Sequence, residues 1–201
     1  MTDYFSLFNE VPRPWLDQQS LQDSFHRIAA QLHPDKQGDA DPATRSKAAR
    51  EFADLNQAYQ CLMDPKARLL HLLELTRGKK PDDMEQIPAA LADRFIGVAH
   101  TCREGDALLA EKSRTESPLL RVGLFQRSQA WLEKAGRLQA EFLEWEKRIL
   151  ADLKALDDEW RLQPAMAATA LLPRLEEHYR MLAYLNRWNH QLRNRIGRMT
   201  F

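Results

Sequence analysis

His33-Pro34-Asp35 concentrates more reactive chemistry than any other tripeptide in the chain. An imidazole, a ring-locked turn and a carboxylate stand together in a polar stretch, residues 33–43, that also carries Gly38. Metal binding does not suit the trio, because no further ligand stands at coordinating spacing. Acid–base catalysis does not suit it either, since a connection between two helices offers no cleft, nucleophile or oxyanion donor. Docking does suit it. The proline fixes the turn, Asp35 offers a point charge to an arginine on a partner, and His33 can cap or donate. Alone, such a tripeptide is an ordinary turn. At the tip of a helical hairpin its side chains are exposed unless something binds them.

The other reactive residues read as structure. Cys61 and Cys102 lie far apart within helical patterns, which excludes a disulfide scaffold, a zinc ribbon and a Cys-x-x-Cys redox site. Both read as small core residues. The 6 His are scattered without paired ligand spacing, so no metal and no cofactor are expected. Trp131, Trp145, Trp160 and Trp188 recur at helical spacing and read as bundle core. Arg187, Arg193, Arg195 and Arg198 suit the negative end of a helix dipole. With no phosphate loop, nucleophile or metal constellation, the chain does not read as an enzyme.

The elements that position the tripeptide are helical. Of 201 residues only 7 are Gly, β-branched runs are missing, and Leu, Ala, Gln, Glu, Lys and Arg dominate, which predicts an all-α fold. Leu21, Phe25, Ile28 and Leu32 form one helical stripe behind an Asp17 cap, with Leu16 and Leu21 placed as a hydrophobic staple; Pro34 ends it. Asp41-Pro42 opens the next helix, whose stripe is Ala48, Phe52, Leu55, Tyr59 and Leu62. Asp64-Pro65 opens a third through Leu75. The composition breaks at residues 78–83, Gly-Lys-Lys-Pro-Asp-Asp, which predicts a first domain over 1–77, a linker and a second domain over 84–201.

Beyond the break, Leu91, Phe95, Val98 and Cys102 mark a helix. From Ser117-Pro118 an apolar series runs unbroken to Gln163-Pro164, a helix of roughly 65 Å if continuous. Leu172 to Met199 closes the chain, with Pro173 near the start of that helix or at a kink. The second half thus reads as a helical bundle built on a long helical hairpin. The 29 Lys+Arg balance 29 Asp+Glu, so neither nucleic acid nor an anionic membrane is an expected partner. The opening, MTDYFSLFNE, lacks the basic and apolar regions of a signal peptide, and a cytoplasmic location is expected.

Residues 3 to about 75 resemble a J domain, the module through which DnaJ-type co-chaperones act on DnaK-type ATPases. The resemblance rests on Phe25, Ile28 and Leu32 before His33-Pro34-Asp35-Lys36, then on Phe52, Leu55, Ala58-Tyr59, Leu62, Asp64 and Arg68. The opening Asp3-Tyr4-Phe5-Ser6-Leu7-Phe8, the Leu16-Asp17 entrance and the Asp64-Pro65-x-x-Arg68-x-x-His71-Leu72-Leu73 ending are similar to the HscB type of iron–sulfur cluster assembly. The resemblance implies a J-domain hairpin followed by a C-terminal helical bundle. It also implies stimulation of a DnaK- or HscA-type chaperone through His33, Pro34, Asp35, Arg27 and Lys36. His26, Gln22 and Gln31 stand where J domains commonly carry Lys or Arg, so electrostatic steering is weaker here.

For the second half the resemblance implies that the bundle binds an iron–sulfur scaffold protein as client. Helices with Leu91, Phe95 and Ile96, or with Tyr184 and Trp188, show more apolar positions than one stripe needs, so Leu91, Phe95 and Tyr184 are the candidate client contacts. A thick core covered by the long hairpin would explain them equally well. Arg94 and Arg103 edge this face with positive charge, which favours an acidic client surface. The alternative is a helical adaptor with a J-like domain and a different client.

Overall fold

Three aspartates set where the first half becomes helical. The computed structural model describes residues 2–32, 41–81, 86–162 and 164–200, the side chains of Pro42 and of residues 164–169 excepted. Within it α1 spans Gln18–Leu32, α2 Pro42–Met63 and α3 Pro65–Arg77. Asp17 accepts the Ser20 amide at 2.8 Å ahead of α1. Asp41 accepts those of Ala43 and Thr44 at 2.9 and 3.1 Å ahead of α2, and Asp64 that of Lys66 at 3.1 Å ahead of α3. Each cap satisfies amides that a first helical turn leaves free, and Pro42 and Pro65 sit where no amide is needed. Leu16 and Leu21 are both buried, as a staple around the Asp17 cap requires. Gly78 closes α3 at a φ of 70°, a left-handed value that a Cβ disfavours.

The second half consists of α4 (Ala92–Arg114), α5 (Pro118–Leu162) and α6 (Pro164–Thr200), and no strand occurs among the described residues. The fold is all-α. α5 is one unbroken helix of 45 residues, about 68 Å at 1.5 Å per residue. α6 begins earlier than its apolar stripe indicates, so Pro173 lies inside the helix. The segment before it is rich in alanine and leucine, and that propensity carries the helix up to and through a missing amide.

Each of the chain's two compact units is built from two separate stretches of sequence. One unit holds Met1–Asp82 with Leu150–Tyr179; the other holds Asp83–Ile149 with Arg180–Phe201. The last turns of α5 and the first part of α6 thus belong to the unit that contains α1, α2 and α3.

In that first unit α1 and α2 pack together, with Phe25 stacked on Tyr59 at 4.2 Å between ring centroids. The segment ahead of α1 is held from two sides. On the α3 side, the Tyr4 amide donates to His71 Nε2 at 3.0 Å, and the two rings stack at 4.5 Å. Arg68 donates to the carbonyls of Pro14, at 3.1 Å, and Leu62, at 2.6 Å. On the α5 side, the Trp160 indole donates to the Pro12 carbonyl at 2.9 Å, and Asp157 accepts the Trp15 amide at 3.3 Å. Phe5 and Phe8 are buried, so a stretch whose regular structure is one 3₁₀ turn, Ser6–Phe8, becomes part of the core.

The second unit has its own cross-links. The Trp131 indole donates to the Thr101 carbonyl at 2.8 Å and lies over Gly105, where a Cβ would come within 2.5 Å of the ring. Arg195 forks onto both carboxylate oxygens of Asp106 at 2.9 and 2.8 Å. Gln139 donates to Asn189 at 2.7 Å, and Phe142 meets Trp188 at 5.7 Å. This register pairs α5 with α6 in opposite directions.

Candidate functional site

α1 holds its apolar stripe inward because Leu21, Phe25, Ile28 and Leu32 recur every three or four residues. Six residues before His33, Arg27 therefore faces solvent and is exposed, as are Gln22, His26 and Gln31. Asp23 shares that outer face, held by an amide of Gln19 at 2.9 Å. The face is polar and only weakly cationic, as the sequence predicts. α1 ends at Leu32 and α2 begins at Pro42, so the tripeptide occupies the connection between them. His33, Pro34, Asp35 and Lys36 lie outside the described residues.

The anchors beneath this hairpin are electrostatically unusual. Arg68 is 2 % exposed, and burial pushes its pKa down to about 10. It carries a buried charge on backbone carbonyls, one of them at the C-terminal end of α2, where the helix dipole favours a cation. Burial also holds the His71 imidazole below the usual histidine range, which keeps Nε2 a lone-pair acceptor for Tyr4. Burial lifts the Cys61 thiol to about 11 and raises that of Cys102, so both are poor nucleophiles. The sequence signals Arg68 and His71 only as motif letters; pattern alone does not say that they clamp the segment ahead of α1.

The candidate client contacts separate into two kinds. Leu91 is fully buried and Tyr184 is 5 % exposed, so neither presents a surface to a partner. This corrects the expectation for both: their surplus apolar positions fill the core, where Tyr184 meets Trp188 edge-on at 5.8 Å. Phe95 is 42 % exposed, and Ile96 beside it 72 %. Helical spacing puts Phe95 on the Leu91–Val98–Cys102 stripe, yet it stays open to water while Leu91 before it and Val98 after it are buried. The edge is also less cationic than composition indicates. Arg94 pairs with Glu141 at 2.7 Å, and Glu104 takes Lys134 at 2.6 Å.

Sequence comparison ties these features to a known module. The family described as DnaJ domain matches residues 8–71, a span that includes the tripeptide, Arg27, Arg68 and His71. A co-chaperone protein HscB homolog of Bordetella petrii is 42 % identical over 72 residues, 36 % of this chain and 42 % of that protein. A homolog of the same description from Neisseria meningitidis is 32 % identical over 96 residues, 48 % of this chain and 56 % of that one. The matched stretch thus spans about half the length of these curated relatives. The crystal structure of human co-chaperone protein HscB superposes with a TM-score of 0.54 at 18 % identity, covering 96 % of this chain and 81 % of that one, a likeness of fold.

Proposed function

We propose, for a chain whose residues 8–71 are a DnaJ domain, that it is a co-chaperone for a DnaK- or HscA-type ATPase. The observation that carries the reading is an intact His33-Pro34-Asp35-Lys36 inside that domain, with Arg27 exposed on the helix leading to it. Asp35 meets a partner cation, Pro34 fixes its approach, and His33, Arg27 and Lys36 complete the contact. The J-domain segment, 1–77, stimulates the ATPase; the bundle segment, 84–201, carries the client past the 78–83 linker. The similarity to HscB homologues, taken with the Asp3–Phe8 opening and the Arg68/His71 ending of the J-like segment, supports an iron–sulfur scaffold protein as that client. Its contact is Phe95 with Ile96, the apolar pair left exposed on α4. No described helix is long and apolar enough to cross a membrane, and we place the exchange in the cytoplasm, where ATP-driven chaperones work.

Single-turnover ATP hydrolysis by a DnaK-type chaperone tests the reading. The protein raises the rate, and Asp35→Asn abolishes the rise while leaving the helical circular dichroism unchanged. Losing one partner of a desolvated interfacial ion pair costs roughly 2–5 kcal/mol, enough to empty the complex at micromolar concentration. Undiminished stimulation by the folded variant removes Asp35 from the contact; no stimulation by the folded wild-type protein overturns the proposal and favours the adaptor reading.

A further inference from the structure

We infer that the start of α5, in the second unit, is a docking surface for an acidic, apolar peptide segment of a partner protein, separate from the Phe95 surface. Five of the first eight residues of α5 are large and apolar: Leu119, Leu120, Val122, Leu124 and Phe125. At 100° per residue they surround the helix, and a helix apolar on all sides is one that is normally enclosed. Only Leu124 is buried. Leu119 is 85 % exposed, Leu120 67 %, Val122 61 % and Phe125 63 %. Scattered exposed leucines are ordinary, whereas four large apolar side chains open to water within seven residues at one helix end mark an interaction site.

A groove of about 460 Å³ runs beside them, floored by Leu124, Phe125, Leu132 and Met199 and walled by Lys112 and Arg121. No lining residue is acidic. Lys112 donates to the Met199 carbonyl at 2.9 Å and Arg121 to the Thr115 carbonyl at 3.2 Å. Neither pairs with a carboxylate among the described residues, so both charges remain to be met. Arg127, by contrast, is taken up by Glu111 at 2.9 and 2.5 Å. An occupant must supply apolar side chains for the groove and carboxylates for its wall. A second copy joined by a two-fold axis would set these cations against themselves. An anionic bilayer needs a broader cationic field than a chain of zero net charge provides. Phe95 lies 19 residues along α4 from Arg114, about 28 Å, so the two surfaces are at opposite ends of that helix.

The experiment is a fluorescence anisotropy titration of the full chain with short synthetic peptides in which leucine and phenylalanine alternate with glutamate, and with the same peptides carrying lysine for glutamate. The glutamate peptides bind at tens of micromolar and the lysine peptides at least about tenfold more weakly. The double variant Leu120→Ser, Phe125→Ser loses this binding, and since both side chains face water its thermal melt stays unchanged. Arg121→Glu, which leaves the apolar surface intact, collapses the preference between the two peptides. Phe95→Ala has no effect. Equal binding of both peptides, no binding, or binding indifferent to the α5 substitutions overturns the inference. So does either rival occupant: concentration-dependent dimerisation removed by the double variant, or capture by phosphatidylglycerol vesicles, without peptide binding.

Discussion

Arg68→Met keeps most of the buried stem and deletes the guanidinium, which isolates the worth of the charge. The side chain is 2 % exposed and donates to the Leu62 and Pro14 carbonyls at 2.6 and 3.1 Å. Burial pushes its pKa down to about 10, which at 1.36 kcal/mol per pKa unit opposes the charged form by roughly 3 kcal/mol. Two hydrogen bonds from a charged donor return about 1.5–3 kcal/mol each. The cation itself is therefore close to neutral or modestly favourable. The substitution does not restore that balance, because both carbonyls stay behind in a site where methionine donates nothing. Orphaned buried acceptors cost about 1–3 kcal/mol each, so the first unit is expected to lose about 2–6 kcal/mol. Replacing both partners of a buried ion pair by apolar groups is a different case, often neutral, because nothing is left unpaired. With two compact units a global melt blends two transitions, so the assay is native-state hydrogen exchange at the α3 amides. Exchange there should quicken roughly 30- to 20,000-fold, every 1.4 kcal/mol being a factor of ten. Arg68→Lys, able to keep one bond, should fall between. Exchange within about threefold of wild type would mean the carbonyls find other partners, and the reasoning fails.

Gly105→Ala places a Cβ within 2.5 and 2.8 Å of the Trp131 ring, so the second unit should lose about 1–3 kcal/mol and melt earlier by calorimetry, with α3 exchange unaffected. His71 is held below the usual histidine range by burial, so the unfolded chain binds the extra proton first; its contribution is complete above about pH 6.5 and falls away as the pH drops. The Tyr4 amide should therefore exchange faster than intrinsic chemistry predicts as pH falls from 7 to 5, and His71→Gln should flatten that dependence. A fragment of residues 1–81 lacks the Asp157 and Trp160 contacts to Trp15 and Pro12, so urea should unfold it at lower concentration than the first unit of the whole chain. Equal midpoints would show that 150–179 adds nothing to that unit.

What the sequence determines here is local. Asp17, Asp41 and Asp64 can be read as caps because a side chain and the amides it satisfies lie two or three residues apart. The continuity of α5 follows from the absence of any breaker between Pro118 and Leu162, and the exposure of Arg27 from its angle to the Leu21–Leu32 stripe. The His-Pro-Asp-Lys motif is sequence outright. Periodicity identifies an apolar face but not how far a neighbour covers it. Leu91, Phe95 and Tyr184 look alike in the sequence; packing buries the first and last and leaves Phe95 at the edge. Nor does the chain's order show that residues 150–179 return to the first unit, or that Arg68 and His71 hold a segment more than 50 positions away. Those contacts join residues distant in sequence, and only the closure of the whole chain brings a buried guanidinium to the carbonyl that compensates it.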